Sequence, residues 1–217
     1  MKEIYKNFFA TALFPNRCPF CNLVIKMEDT ICPDCRKTLP RAPIRRHAIG
    51  GAPCVAALPY LDQYATAVKR FKFRKRAFYV SALAEVMTSA VTGEYDLRKF
   101  DCVTCVPMYT KDLRRRRFNH SELLARECSA ITGLPYLDLL EKYRRNKAQH
   151  RTRLANRAGN VKNVFRAADK SLLKKQRVLL IDDIITSGNT LGECVRILKN
   201  AGCANVSCAV VCSTLIV

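Results

Sequence analysis

Residues 178–191 read VLLIDDIITSGNTL. Four apolar residues run into Asp182 and Asp183, and the acids run into a stretch made almost wholly of hydroxyl, amide and glycine. Carboxylates cannot bind phosphate, but they accept hydrogen bonds from the vicinal hydroxyls of a sugar. Thr186, Ser187, Gly188, Asn189 and Thr190 suit a monophosphate instead. Hydroxyls and backbone N–H groups donate, Gly188 lets the backbone approach closely, and a helix starting there aims its positive dipole end at the loop. A diol site beside a phosphate site describes a ribose 5-phosphate. An acid pair at a strand end is often only a cap or a turn. Here the spacing of strand, acids, polar loop and helix over fourteen residues favours the ligand site.

A second constellation is Cys18-Pro-Phe-Cys21 with Cys32-Pro-Asp-Cys35. Two CxxC knuckles supply four thiolates, the tetrahedral set of a structural Zn²⁺ site. A module of residues 1–45 is too small for a core of its own and would draw folding energy from the metal. A redox CxxC needs a helix N-terminus behind it, and neither Cys21 nor Cys35 clearly opens one. Cys102 and Cys105 share the spacing but fall in a strand, where they face opposite sides. They read as core, as do Cys194, Cys203, Cys208 and Cys212.

A third stretch, residues 69–76, reads KRFKFRKR. Lys69, Arg70, Lys72 and Arg74 alternate with Phe71 and Phe73, the ingredients of single-stranded nucleic-acid binding. The other reading is an amphipathic helix with its aromatics in the core and its cations solvated; the segment alone decides for neither. Arg115 and Arg116 join the candidates for nucleic-acid contact.

The elements that must position these residues fit a chain of 217 residues, long enough for one ordinary domain and a small appendage. With 38 Lys and Arg against 18 Asp and Glu, the net charge of +20 points to polyanionic partners. The apolar stretch FFATALF (8–14) is seven residues long and lacks a cleavage site, and no segment reaches the ~18 apolar residues of a membrane span. No membrane insertion and a cytoplasmic location are therefore expected, with the thiols reduced.

Residues 1–14 suit a short amphipathic helix and 15–45 a loop-rich module. A strand is predicted at 55–60, helices at 62–73 and 78–92, and a strand at 102–106 stopped by Pro107. A helix over 119–132 is capped by Asn119 or Ser121 and stopped by Gly133. Residues 142–163, polar and basic, read as a long loop. VLLI (178–181) is a strand, 190–200 a helix ended by Gly202, and 206–211 a last strand. Apolar strands alternating with helices imply an α/β fold: a parallel sheet with helices on both faces, over residues 46–217.

The 178–191 pattern resembles the phosphoribosyl pyrophosphate (PRPP) signature of type I phosphoribosyltransferases. The four-cysteine module, the FKF-type basic helix, VPM followed by an arginine run and FN, and a loop with Gln149, Leu154, Arg157 and Asn160 extend the likeness. Together they resemble the ComF family, phosphoribosyltransferase-like proteins with an N-terminal zinc finger. The likeness covers about residues 13–212 and implies a type I phosphoribosyltransferase-like sheet plus a zinc-ribbon-like module.

It also implies roles. Asp182 and Asp183 would lie beneath the ribose and stabilise an oxocarbenium-like centre as magnesium-bound pyrophosphate leaves, so that Mg²⁺ accompanies PRPP. Met108, Tyr109, Lys111 and Arg114 would sit in the pyrophosphate loop. The family usually shows Arg-Gly-Phe-Asn-Gln there, whereas this chain has Arg116-Arg117-Phe118-Asn119-His120. Arg144, Lys147, Gln149 and Arg157 would belong to a mobile loop that closes over the diphosphate; residues 142–166 hold nine Lys and Arg and no acid. ComF proteins are associated with DNA uptake in natural transformation, with a helicase-like competence partner on single-stranded DNA. Three functions stay open: a PRPP-binding accessory of DNA uptake, favoured by the charge; an active salvage-type phosphoribosyltransferase acting on a nucleobase or amide; and a zinc-stabilised interaction module with an inert pocket. No residue identifies an acceptor.

Overall fold

The structure is a computed structural model and describes residues 15–73, 79–144 and 164–214. Its frame is a five-stranded sheet in the order β1-β2-β7-β6-β3. The strands are β1 (Ile44–His47), β2 (Pro53–Pro59), β3 (Cys102–Cys105), β6 (Arg177–Ile185) and β7 (Asn205–Ser213). Edge strand β1 runs antiparallel to β2; the remaining pairings are parallel. A separate two-stranded ladder pairs β4 (Leu140–Lys142) with β5 (Phe165–Ala167).

Period-two alternation divides the sheet's side chains between two cores. Val55, Val103, Leu179, Ile181, Ala209 and Val211 join one, with helices α2 (Asp62–Phe73), α3 (Val80–Glu94) and α5 (His120–Thr132). Cys54, Ala56, Cys102, Val178, Leu180, Cys208 and Val210 join the other, under helix α6 (Asn189–Asn200). The continuous apolar runs of β6 and β7 thus answer to burial on both faces. Cys102 and Cys105 fall on opposite sides, as the strand reading requires.

The cysteine module adds the short helix α1 (Pro33–Lys37) and packs on the first core. Cys18, Phe20, Ile31, Cys32 and Cys35 are all buried within that cluster. Phe20 meets Tyr64 edge-on at 5.5 Å, and the Tyr64 hydroxyl donates to the Thr38 carbonyl at 3.0 Å. Cys32 is the N-cap of this five-residue helix, its sulfur accepting from the Cys35 N–H.

The structure differs from the sequence reading in three short strands, one strand end and one helix end. β1, β4 and β5 are short, of three or four residues, and carry no alternation long enough to mark them. β6 continues through the acids to Ile185 because β7 continues beside it, pairing Asp182 with Val210 and Ile185 with Ser213. Helix α3 runs through Gly93 to Glu94. Helix α5 is as read: the Asn119 side chain accepts from Ser121 N–H at 3.2 Å, and Gly133 closes the helix at φ +75°. Arg74, Lys147, Gln149 and Arg157 lie outside the described residues.

Candidate functional site

The site exists because two neighbouring strands stop at different heights. β3 pairs with β6 only as far as Cys105 opposite Ile181. Val106 N–H still donates to the Ile181 carbonyl at 3.0 Å, and Pro107 then turns the chain away. β6 goes on, so Asp182 and Asp183 border a gap where β3 has left the sheet. A cleft of about 320 Å³ fills that gap. Asp182, Asp183 and Thr190 line it on one side, Pro107, Met108, Tyr109, Asp112 and Arg116 on the other, and Asn119, His120, Ser121 and Lys142 close it. An open parallel sheet binds ligands at this carboxyl end.

Local chemistry holds each wall. Buried Asn119 donates to the Val106 carbonyl at 3.1 Å while capping α5, which fixes the start of that helix against the end of β3. Ser121, in the first turn of α5, donates its hydroxyl to Asp182 Oδ1 at 2.7 Å. The same oxygen accepts from Asp183 N–H at 2.9 Å. Burial, and after it the Asp183 charge, pushes the Asp182 carboxyl up to about 7, against the pull of those donors. Lys72 Nζ, from the last turn of α2, lies 2.8 Å from Asp183 Oδ2. His120 is held neutral by burial. Burial lowers the Lys142 ammonium as well, opposed by Asp112 and other acidic groups nearby.

The residues expected to take a phosphate lie at the start of α6. Thr186 and Ser187 are exposed, Asn189 Nδ2 donates to Ser187 Oγ at 2.8 Å, and Thr190 lies in the first helical turn. Gly188 has φ +76°, and a Cβ there would meet His47 O and Ile49 N at 3.3 Å. The β1–β2 hairpin backbone therefore packs closely against Gly188. Arg46 of β1, unmarked by any sequence pattern, braces the same loop: Nη2 donates to the Thr186 carbonyl at 3.1 Å, and Nη1 to Ser213 Oγ and the Thr214 carbonyl.

In the segment expected to hold pyrophosphate, helix α4 (Thr110–Arg116) follows Tyr109 directly. Met108, Tyr109 and Arg116 face the cleft, whereas Lys111 and Arg114 are exposed and absent from its lining. Arg117 ends the helix in the left-handed region at φ +74°. The conformation expected of a glycine is kept although the glycine is not. Arg144 is exposed, two residues past β4.

The basic stretch is not a continuous strip. Lys69 is exposed, but Arg70 Nη1 donates to the carbonyls of Pro19 (3.0 Å) and Phe20 (3.3 Å), and Lys72 is engaged by Asp183. Phe71 is wholly buried, so the helix-in-core reading holds for it. Sequence reasoning missed Arg46, Lys142, His120 as a wall of the cleft, and the Ser121–Asp182 and Lys72–Asp183 contacts. Each joins segments far apart in the chain, and no local pattern announces them.

The four thiols come together as expected. The sulfurs of Cys18, Cys21, Cys32 and Cys35 all lie within 4.8 Å of one another, with Cys35 N–H donating to Cys32 Sγ at 3.4 Å. Four soft donors that close, on two knuckles, fit a structural Zn²⁺ site. Among the described residues, no helix is long and apolar enough to cross a membrane.

Comparison with known proteins finds two family models that match the chain. Residues 123–215 match the phosphoribosyl transferase domain family and residues 9–50 the double zinc ribbon domain family. The chain is 28% identical over 148 residues to competence protein F of Haemophilus influenzae, spanning 66% of this chain and 65% of that protein. It is 26% identical over 210 residues to DNA utilization protein YhgH of Salmonella typhimurium, 91% of this chain and 90% of that one. It is 31% identical over 143 residues to competence protein ComFC of Streptococcus pneumoniae, 66% of this chain and 62% of that one. The chain thus spans just under two thirds of two of these relatives and nine tenths of the third. It is a homologue of the competence protein F, ComFC and YhgH proteins, with a phosphoribosyl transferase domain match following a double zinc ribbon match.

Proposed function

We propose that the cleft binds PRPP with Mg²⁺ and that the protein serves DNA handling in the cytoplasm through this site and an affinity for single-stranded DNA. The observation that carries the first part is the adjacency of Asp182 and Asp183 to the start of α6 across one cleft. The acids accept from the ribose diol. Thr186, Ser187 and Thr190, with the free N–H groups of the helix start, take the 5-phosphate. The diphosphate extends toward Met108, Tyr109 and Arg116. The oxygen donors Asp112, Asp182 and Asp183 suit a hard cation, which would neutralise charge on the diphosphate.

The DNA role is supported by the names of the relatives and by the net charge of +20. Exposed Lys69, Lys111, Arg114 and Arg117 are available for phosphate contacts, with Arg115 and Arg116 in the same run. A helicase-like protein that works on incoming strands is the partner class this role implies. A second reading, phosphoribosyl transfer to a nucleobase or amide, is favoured by Asp182. A carboxylate titrating near neutrality beside the ribose can collect a proton from an acceptor.

Calorimetric titration of PRPP and Mg²⁺ into the zinc-loaded protein tests the site. Saturable heat in the wild type that disappears in Asp183→Asn supports it; no heat from folded, zinc-loaded protein removes it. Release of pyrophosphate dependent on an added base or amide would establish transfer. Single-strand binding whose affinity falls steeply with salt would support the DNA role, and salt-insensitive or absent binding would remove it.

A further inference from the structure

Asp183 has a like charge as its chain neighbour and a cation at its other side. Adjacent carboxylates in a partly desolvated cleft repel each other, and a counter-charge beside one of them offsets that repulsion. Lys72 Nζ supplies the counter-charge at 2.8 Å, with the two side chains only 21% and 14% exposed. An ion pair withdrawn from water to that degree is a poor device for stability, because desolvation of both partners offsets the attraction. Its value lies in where it holds the carboxylate.

The backbone around Lys72 is secured on every side. The Lys72 carbonyl, left over at the end of α2, accepts from His120 Nε2 at 3.1 Å, which requires the proton on that nitrogen. Phe71 is fully buried, edge-on to His120 at 5.1 Å and tilted against Phe118 at 6.5 Å. Arg70 grips the Pro19 and Phe20 carbonyls within the first cysteine knuckle. Three consecutive residues therefore fasten α2 to the zinc module, to the turn that begins α5, and to the carboxylate.

We propose that Lys72 is a positioning residue of the ribose site, holding the Asp183 carboxylate in the place from which it can accept from a sugar diol. This rests on the PRPP reading above and names a residue outside the signature that suggested it. A carboxylate has about four lone-pair sites, so Asp183 can accept from a diol without releasing Lys72. The arrangement also carries the integrity of the cysteine knuckle to the site, through Arg70 two residues away.

The test is PRPP and Mg²⁺ titration of the full chain at pH 7 for wild type, Lys72→Gln and Lys72→Arg, with zinc content and melting temperature as folding controls. Lys72→Gln removes the ion pair to Asp183, so its affinity should fall at least ~10-fold, and Lys72→Arg should recover most of it. A folded Lys72→Gln with wild-type affinity would overturn the inference. If that variant does not fold, the side-chain ¹⁵N–¹³C resonance of Lys72 in the wild type decides: it must move on saturation with PRPP, and an unmoved signal overturns the inference too. Absence of binding in the wild type is a different result, which removes the PRPP reading and this inference with it.

Discussion

Arg117 adopts a backbone angle that a side chain resists. At φ +74° it closes α4, its N–H bonded to the Leu113 carbonyl at 2.7 Å. The left-handed region costs a non-glycine residue roughly 1–2 kcal/mol. Glycine removes that cost but brings more freedom to the unfolded chain, a partial offset of about 0.4–1 kcal/mol. Arg117→Gly should therefore stabilise the protein by about 0.5–1 kcal/mol, read as a higher urea midpoint at unchanged slope. A lower midpoint would mean that the exposed Arg117 side chain contributes more than its backbone costs. The sequence already carried half of this information, because an arginine stands where the family it resembles usually has glycine. What it could not carry was whether the chain keeps the glycine's conformation or abandons it.

At the scale of elements, legibility followed length and burial. The long apolar strands β2, β6 and β7 and the capped helix α5 were readable because their patterns answer to local rules of alternation and capping. β1 was not, since IRRH is an edge strand with one side in solvent. Yet its hairpin decides how α6 starts. Gly192, inside α6, faces Ile49 so closely that a Cβ would lie 2.4 Å from the Ile49 carbonyl oxygen. In an ordinary helix interior, alanine is better than glycine by about 1 kcal/mol. Here the sign should reverse. Gly192→Ala must displace the hairpin backbone and should cost about 1–3 kcal/mol, with a lower melting temperature and weaker PRPP binding, because the same hairpin braces Thr186 and Gly188. A stabilised Gly192→Ala would show that the hairpin moves aside freely and does not shape the loop.

Across the whole molecule the zinc module and the sheet share one core, although the sequence suggested an appendage. Cys18, Phe20 and Ile31 are buried in the same cluster as Val68, Phe71 and Leu83, and Arg36 pairs with Glu85 of α3 at the rim. Composition marks a change of chemistry along the chain, and the packing runs across it. A knuckle of four thiols has too little apolar surface to stay folded without its metal. Chelation should therefore expose part of the main core as well as loosen the knuckle. The loss should be several kcal/mol, so about 10 °C or more in melting temperature for a chain of this size. It should also weaken PRPP binding, because Arg70 would lose the Pro19 and Phe20 carbonyls that anchor the end of α2 beneath Lys72. Scanning calorimetry of the zinc-loaded and chelator-treated protein, each with and without PRPP, separates the alternatives. A shifted single transition with diminished PRPP stabilisation is the expected outcome. An unshifted main transition beside a lost minor one would make the module an independent unit, and the coupling through α2 would then be absent.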